Sequence, residues 1–272
     1  MIPAAFTYLR PTSVEEAIAL IAADEDAKVL AGGHSLLPIM KLRLAAPSAL
    51  VDIGRIEGLS YVREEDGVVA IGALTRHHDV ATSPLLGERA PLIAEAASFV
   101  GDPQVRHRGT IGGSIVHGDP ASDIPAAILA LDATVVLVGP SGRREVSAGE
   151  FFLGFLETAI APDEICTEIR FPVATDGYGF EKFTRRAQDW AIVGVAAQRR
   201  GDDVAVALVN MAQTTVRAAA TETAIREGSG VEASAALADD GTDPVSDQSA
   251  SAEYRRHLAR VLTARALVKA GF

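Results

Sequence analysis

The chain has 272 residues, 48% hydrophobic and 22% charged, with 36 acidic residues against 25 basic ones and a formal net charge of −11. That length can bury a real core, as one large domain or two modest ones. The acidic balance excludes a binder of phosphate backbones, which needs a concentrated basic face, so no nucleic-acid partner is expected.

Along the chain, the opening MIPAAFTYLRPTSVEEA shows no basic segment followed by an apolar one, so no targeting peptide is expected. Ser13-Val14-Glu15-Glu16 fits a capping box, and Val14, Ala17, Ile18 and Ile21 recur at helical spacing. Short strands are expected at Val29-Leu30-Ala31 and Ala49 to Ile53, giving a small βαβ-like lobe. Tyr61 to Ala73 reads as two strands joined at Glu65-Asp66-Gly67, an acidic-glycine turn suited to a hairpin. From Arg76 to Val100 the pattern turns helical, and a loop carrying a glycine pair follows. Ile124 to Leu131 reads as a helix, Thr134 to Val138 and Ile165 to Phe171 as strands. The apolar run Ile124 to Gly139 is broken by Asp132 and too short to span a bilayer, so a cytoplasmic protein without membrane insertion is expected.

After Pro172 the texture changes to strand-like runs separated by Arg200-Gly201-Asp202-Asp203. Glu227 to Ala250 reads as loops around a short helix, and a last helix begins at SAEYRRHLARVL and is closed by Gly271. The domain boundary is placed between residues 172 and 178. Cys166 is the only cysteine, which excludes an internal disulfide, an all-cysteine zinc site and a thiolate-held iron–sulfur cluster within this chain. The six histidines show no ligand spacing, so no metal site is expected.

Two glycine pairs stand out. Ala31-Gly32-Gly33-His34-Ser35 follows the first apolar strand, and Thr110-Ile111-Gly112-Gly113-Ser114 repeats its chemistry. Adjacent glycines let the backbone take positive φ and approach a ligand, and successive N–H groups in such a turn form an anion-holding concavity. Two such loops facing each other could clasp a diphosphate without a lysine; equally, a glycine pair after a strand is a general turn signal. The phosphate loop GxxxxGK[ST] is absent, and GYGFEK, from Gly177 to Lys182, lacks the third glycine of GxGxxG and follows a proline break.

AGGHSLLPIMKLR, TIGGSIVHGDPASDIPAAILALDA and SAEYRRHLARVLTARAL together resemble the FAD-binding medium subunits of the molybdenum hydroxylases, the group of the carbon monoxide dehydrogenase medium chains and the flavin domain of the xanthine dehydrogenase family. The resemblance runs in order over about residues 1 to 270. It implies an α+β chain: a two-lobe FAD-binding domain of the type shared with vanillyl-alcohol oxidase (residues 1–174, lobes about 1–57 and 58–174), then a C-terminal domain of antiparallel sheet plus helices (175–272). It implies that Ala31, Gly32, Gly33, His34, Ser35 and Leu36, with Thr110, Ile111, Gly112, Gly113 and Ser114, hold the FAD diphosphate. It further implies that Asp123 accepts hydrogen bonds from hydroxyls of the flavin nucleotide and that Ile165 and Lys182 line the flavin.

A lysine near the ring would stabilise negative charge on the reduced flavin, and the alternative for Lys182 is an ordinary strand-edge lysine. His34 is read as a flavin or loop contact, or else a turn histidine, and His117 as ordering the second loop. His77 and His78 are read as a solvated helix start, and Trp190 and Tyr178 as packing residues or else as side chains that approach the flavin face. Val209 to Ala218, VNMAQTTVRA, departs from relatives that carry a glycine and a proline there, which leaves the local turn open.

Because one cysteine cannot hold clusters, the resemblance implies partners: a small subunit with [2Fe-2S] clusters and a large subunit with molybdopterin, as a dimer of heterotrimers (a heterohexamer). This chain would carry FAD as an electron-transfer subunit of an oxidoreductase, with no catalytic acid or base of its own. Two alternatives are a self-contained flavoprotein oxidoreductase and a non-catalytic scaffold subunit whose glycine loops are turns only.

Overall fold

The structure, a computed structural model, describes residues 2–272. The first lobe runs β1 (Thr7–Leu9), α1 (Val14–Ala22), β2 (Lys28–Leu30), α2 (Leu36–Lys41) and β3 (Ala49–Asp52). Its strands form a parallel sheet in the order β1-β3-β2, and α1 and α2 are the crossovers that parallel strands need, α2 between the neighbours β2 and β3. At the start of α1, Ser13 Oγ accepts from the Glu16 N–H at 3.2 Å. The Glu16 carboxylate returns to the Thr12 N–H at 2.7 Å rather than to Ser13, so the box closes one residue early. Ala17, Ile18 and Ile21 of α1 are buried with Val51 and Ile53 in a core of their own. Parallel strands end on the same side, so the loops after β1, β2 and β3 share one edge, where open α/β sheets place ligands.

The second lobe follows as β4 (Val62–Glu65), β5 (Val68–Gly72), α3 (His77–Thr82), α4 (Pro84–Arg89), α5 (Pro91–Ser98), α6 (Pro103–Arg106), α7 (Ile111–His117), α8 (Asp123–Ala130), β6 (Thr134–Gly139), β7 (Gly142–Ser147), α9 (Ala148–Phe151), β8 (Phe152–Gly154), β9 (Glu157–Thr158) and β10 (Ile165–Pro172). Five strands form a sheet in the order β4-β5-β10-β6-β7. The β4–β5 hairpin turns at Asp66 and Gly67, both at positive φ (51° and 77°), as the two-residue turn requires. The helical run after Arg76 is three helices rather than one, because Pro84 and Pro91 each open a new helix and cannot continue the old one.

The remaining chain forms β11 (Tyr178–Phe183), β12 (Val193–Arg200), β13 (Asp203–Val209), β14 (Val216–Arg217), α10 (Ala219–Arg226), α11 (Val231–Ala235) and α12 (Ala252–Ala270). The strands make an antiparallel sheet in that order. One face, with Val193, Val195 and Val206, packs on Leu258, Leu262 and Leu267 of α12. The other, with Phe180, Ala196 and Ala207, joins the core of the second lobe. All eight residues of α8 are buried, because this helix lies between α5 and the β12–β13 face. Mixed helices and sheets in this arrangement make the α+β class expected from the sequence.

Candidate functional site

Ala31 to Ser35 leave the carboxyl end of β2 and lead into α2. Gly33 takes φ 75°, a backbone that L side chains rarely adopt. Among the described residues no protein acceptor meets the N–H groups of Gly32, Gly33, His34, Ser35 or Leu36; the first amide of this stretch to be used is that of Leu37, which donates to Gly33 O at 3.0 Å. Five consecutive free amides at the carboxyl edge of a parallel sheet are donors that an anion could take up. His34 Nδ1 lies 3.0 Å from Gly32 O, and a carbonyl only accepts, so that nitrogen carries the proton and the ring braces the loop.

The second glycine pair does not sit in a loop. Ile111 to Ser114 open α7, with Thr110 as N-cap, and each amide there already has an acceptor: Ile111 N–H donates to Thr75 O at 3.0 Å, Gly112 to Ala73 O at 2.9 Å and Ser114 to Thr110 O at 3.1 Å. The Thr110 hydroxyl accepts from Gly113 N–H at 3.1 Å. The expectation of two similar jaws of free amides is therefore corrected: the first motif supplies donors, the second supplies close packing. A Cβ on Gly112 would lie 2.5 Å from the Ala73 Cβ, whereas one on Gly113 would meet only the Thr110 hydroxyl at 2.8 Å. The two motifs do come together, since a Cβ on Gly32 would run into the Arg108 carbonyl and lie 2.8 Å from Gly109 Cα.

Asp123 and Lys182 form a second cluster, between α8 and β11. Lys182 Nζ donates to Asp123 Oδ2 at 2.7 Å and to Phe99 O at 3.0 Å. Lys182 does sit on an edge strand, but both side chains are buried, 4% and 5% exposed, so it is not an ordinary strand-edge lysine. Burial pushes the Asp123 carboxyl up to about 6, against the opposing pull of the Lys182 ammonium. Asp123 Oδ1 is buried without a partner, and a third ammonium donor of Lys182 is unused. An unfilled acceptor beside an unfilled donor suits a ligand that carries both, such as a hydroxylated chain.

Ile165, the first residue of β10, is 2% exposed and packs with Ile53, Ile56 and Leu74 in the first-lobe core. His77 does open α3, as expected, but it is buried rather than solvated, and burial lowers its imidazole to about 4 with Arg106 and Arg76 adding to the effect. His78 instead lies against His107, ring centroids 4.0 Å apart. Tyr178 packs on the core as expected, but Trp190 is 60% exposed and packs little. In the atypical Val209–Ala218 stretch, Asn210 takes φ 61°; its amide donates to Pro120 O and its side chain to Ala191 O, both at 2.8 Å. Asparagine tolerates that backbone, which explains how the turn closes without the expected glycine.

Residues 4–174 match the family described as the FAD binding domain in molybdopterin dehydrogenase. The chain belongs to this family. Residues 178–270 of this FAD-binding chain match the CO dehydrogenase flavoprotein C-terminal domain. It is 44% identical to the carbon monoxide dehydrogenase medium chain of Hydrogenophaga pseudoflava, over 98% of this chain and 97% of that one. To the 6-hydroxypseudooxynicotine dehydrogenase complex subunit alpha of Paenarthrobacter nicotinovorans it is 37% identical, over 99% and 96% of the two chains. Its fold superimposes on a chain of the carbon monoxide dehydrogenase of H. pseudoflava that lacks the Mo-pyranopterin moiety, with TM-score 0.94 and 45% identity over 99% of this chain and 98% of that one. The chain is thus the FAD-binding subunit of an oxidoreductase of the molybdenum hydroxylase family.

The residues fit FAD on two observations made above: the five free amides suit a diphosphate, and the orphaned Asp123 Oδ1 beside Lys182 suits a hydroxyl-bearing nucleotide. Among the described residues no group of three or more His, Cys, Asp or Glu could hold a metal ion, and no helix is long and apolar enough to cross a membrane. Arg76, Phe99 and Ala73 escape sequence reasoning. Arg76 and Phe99 meet the site only through contacts far along the chain, and Ala73 carries no chemistry of its own.

Proposed function

We propose that this chain is the electron exit of a heteromeric molybdenum hydroxylase of the carbon monoxide dehydrogenase type, working in the cytoplasm as part of a dimer of heterotrimers. Residues 1–174 are the unit that seats FAD, and 175–272 close it from the other side. A small partner subunit would carry the [2Fe-2S] clusters and a large one the molybdopterin. Bound FAD supplies the junction between one-electron carriers and a two-electron acceptor.

The loop from Ala31 to Leu36 holds the diphosphate through its amides, and the segment from Thr110 to Ser114 fixes the surface on which that loop rests. Asp123 accepts from a nucleotide hydroxyl through Oδ1, and Lys182 places a positive charge beside it that stabilises a negative charge on the reduced ring. Ile165 sets the apolar floor from the start of β10. No side chain here acts as a catalytic acid or base, since substrate chemistry belongs to the large partner. The observation that carries this reading is the run of five unpartnered amides on the carboxyl edge of the first-lobe sheet.

Purification of the chain with bound flavin tests it. The expected result is about one FAD per chain, with a Gly33→Val variant that keeps its fold and loses the flavin. Colourless protein that takes up no FAD overturns the proposal, and turnover of a small substrate by the isolated yellow chain replaces it with a self-contained oxidoreductase. A Lys182→Met variant that holds FAD at an unchanged reduction potential removes the role given to that lysine.

A further inference from the structure

Positive charge collects at the seam between the lobes, although the chain as a whole is acidic. Arg76, Arg106 and Arg108 stand there with His34 and His77, and none of the three guanidiniums has a carboxylate partner among the described residues. Arg106 is occupied, donating from Nη1 to Val100 O at 3.1 Å and to Gly101 O at 3.0 Å. Buried His77 remains neutral near pH 7 and adds no charge.

Arg76 differs from these neighbours. It precedes α3, and its backbone pairs with Thr110 in an isolated antiparallel bridge. Its guanidinium donates to the Arg108 carbonyl, the same oxygen that a Cβ on Gly32 would strike. Arg76 thus bonds, through its side chain, the carbonyl that Gly32 packs on and, through its backbone, the first residue of the second motif. A guanidinium offers five donors, and Arg76 engages an acceptor at this one carbonyl among the described residues. Asp52 and Asp79 act on it only at longer range, while Arg108 opposes its charge. A half-buried cation without a counter-ion, bonded to the carbonyl on which the loop of unpaired amides packs, suits an anion.

We infer that Arg76 is the cationic ligand of the FAD diphosphate, so that the clasp does not work through backbone amides alone, as its sequence suggests. The inference rests on the FAD reading above. Amides of the Gly32 loop orient the two phosphates, and the Arg76 guanidinium offsets part of their charge while holding the Arg108 carbonyl under Gly32. Loss of the charge should therefore weaken ligands that contain the diphosphate and spare those that do not.

The full-length protein, in the complex in which it is isolated, is stripped of flavin and titrated with FAD and with riboflavin at low and high salt. In Arg76→Gln the side-chain amide can still donate to Arg108 O, but the charge is gone. The expected result is an FAD Kd raised roughly tenfold to a hundredfold, as for loss of a charge-assisted hydrogen bond, with riboflavin binding unchanged and a weaker salt dependence for FAD. Arg76→Lys should recover part of the loss, since a point charge replaces a fork. An FAD Kd within twofold of the unaltered protein, or equal weakening of FAD and riboflavin, overturns the inference; the second result would make Arg76 a packing residue. Should Arg76→Gln fail to fold, the unaltered protein still decides: equal salt slopes for FAD and riboflavin overturn it. If Arg76→Gln keeps full FAD affinity while Gly33→Val loses it, Arg76 falls and the FAD reading stands. If the stripped, unaltered protein rebinds no FAD, both fall.

Discussion

At the scale of single residues, two buried titratable groups pull stability in opposite directions with pH. His77 has a folded value near 4, below its ordinary 6.5. Between those values the unfolded chain binds the extra proton, so stability is full above about pH 6.5 and falls as the pH drops toward 4, by up to about 3 kcal/mol. Urea unfolding at pH 7 and pH 5 shows the His77 share by comparison: the unaltered protein should lose more stability, or gain less, between the two than His77→Leu does. Asp123 runs the other way: its folded value near 6 lies above the ordinary 3.8, so its contribution is full below about pH 4 and lost as the pH rises through 6. The Lys182 ammonium is what makes the charged form tolerable. Lys182→Met leaves a buried carboxylate without a counter-charge and should destabilise the protein by about 3–5 kcal/mol at pH 7, whereas Lys182→Met with Asp123→Leu should recover most of that, measured by the same unfolding experiment.

At the scale of elements, α7 carries the clearest contrast. Gly112→Ala would place a methyl 2.5 Å from the Ala73 Cβ and 2.8 Å from its carbonyl, an overpacking expected to cost about 1–3 kcal/mol. Gly113→Ala meets only the rotatable Thr110 hydroxyl, and helix propensity favours alanine by about 1 kcal/mol, so its net effect should lie near zero. Thermal unfolding of the two variants side by side checks the difference. The same helix shows where sequence reading reaches its limit. The glycines and hydroxyls of TIGGS were legible as a special backbone, but the acceptors Thr75 O and Ala73 O come from the segment after β5, far back along the chain, and no local pattern reveals them. The β4–β5 hairpin, α1 and α12 were legible because their signals are local: a positive-φ dipeptide, a serine cap, a glycine stop. Three-residue β1 was missed, since TYL is too short to show a period.

At the scale of the molecule, the ligand edge of the first lobe is closed by the second, so FAD should tie the lobes together. FAD at a hundredfold excess over its Kd should raise stability by about 2.7 kcal/mol, seen as a thermal midpoint several degrees higher than that of the stripped protein. The ion-paired corner where Asp132 meets Arg200 and Arg217 links the turn after α8 to the last sheet; it lies apart from the glycine motifs, so a change there should leave that shift intact. The family boundary between residues 174 and 178 falls in a short connection, yet α8 is buried on every side, one of its covers being the β12–β13 face from beyond that boundary. The two family domains therefore share a packed boundary at α8. A gene fragment stopping at residue 174 would encode a helix with an uncovered apolar flank and a lysine-less Asp123, and recombination between relatives at this junction can succeed only where the exchanged sheet still fits α8.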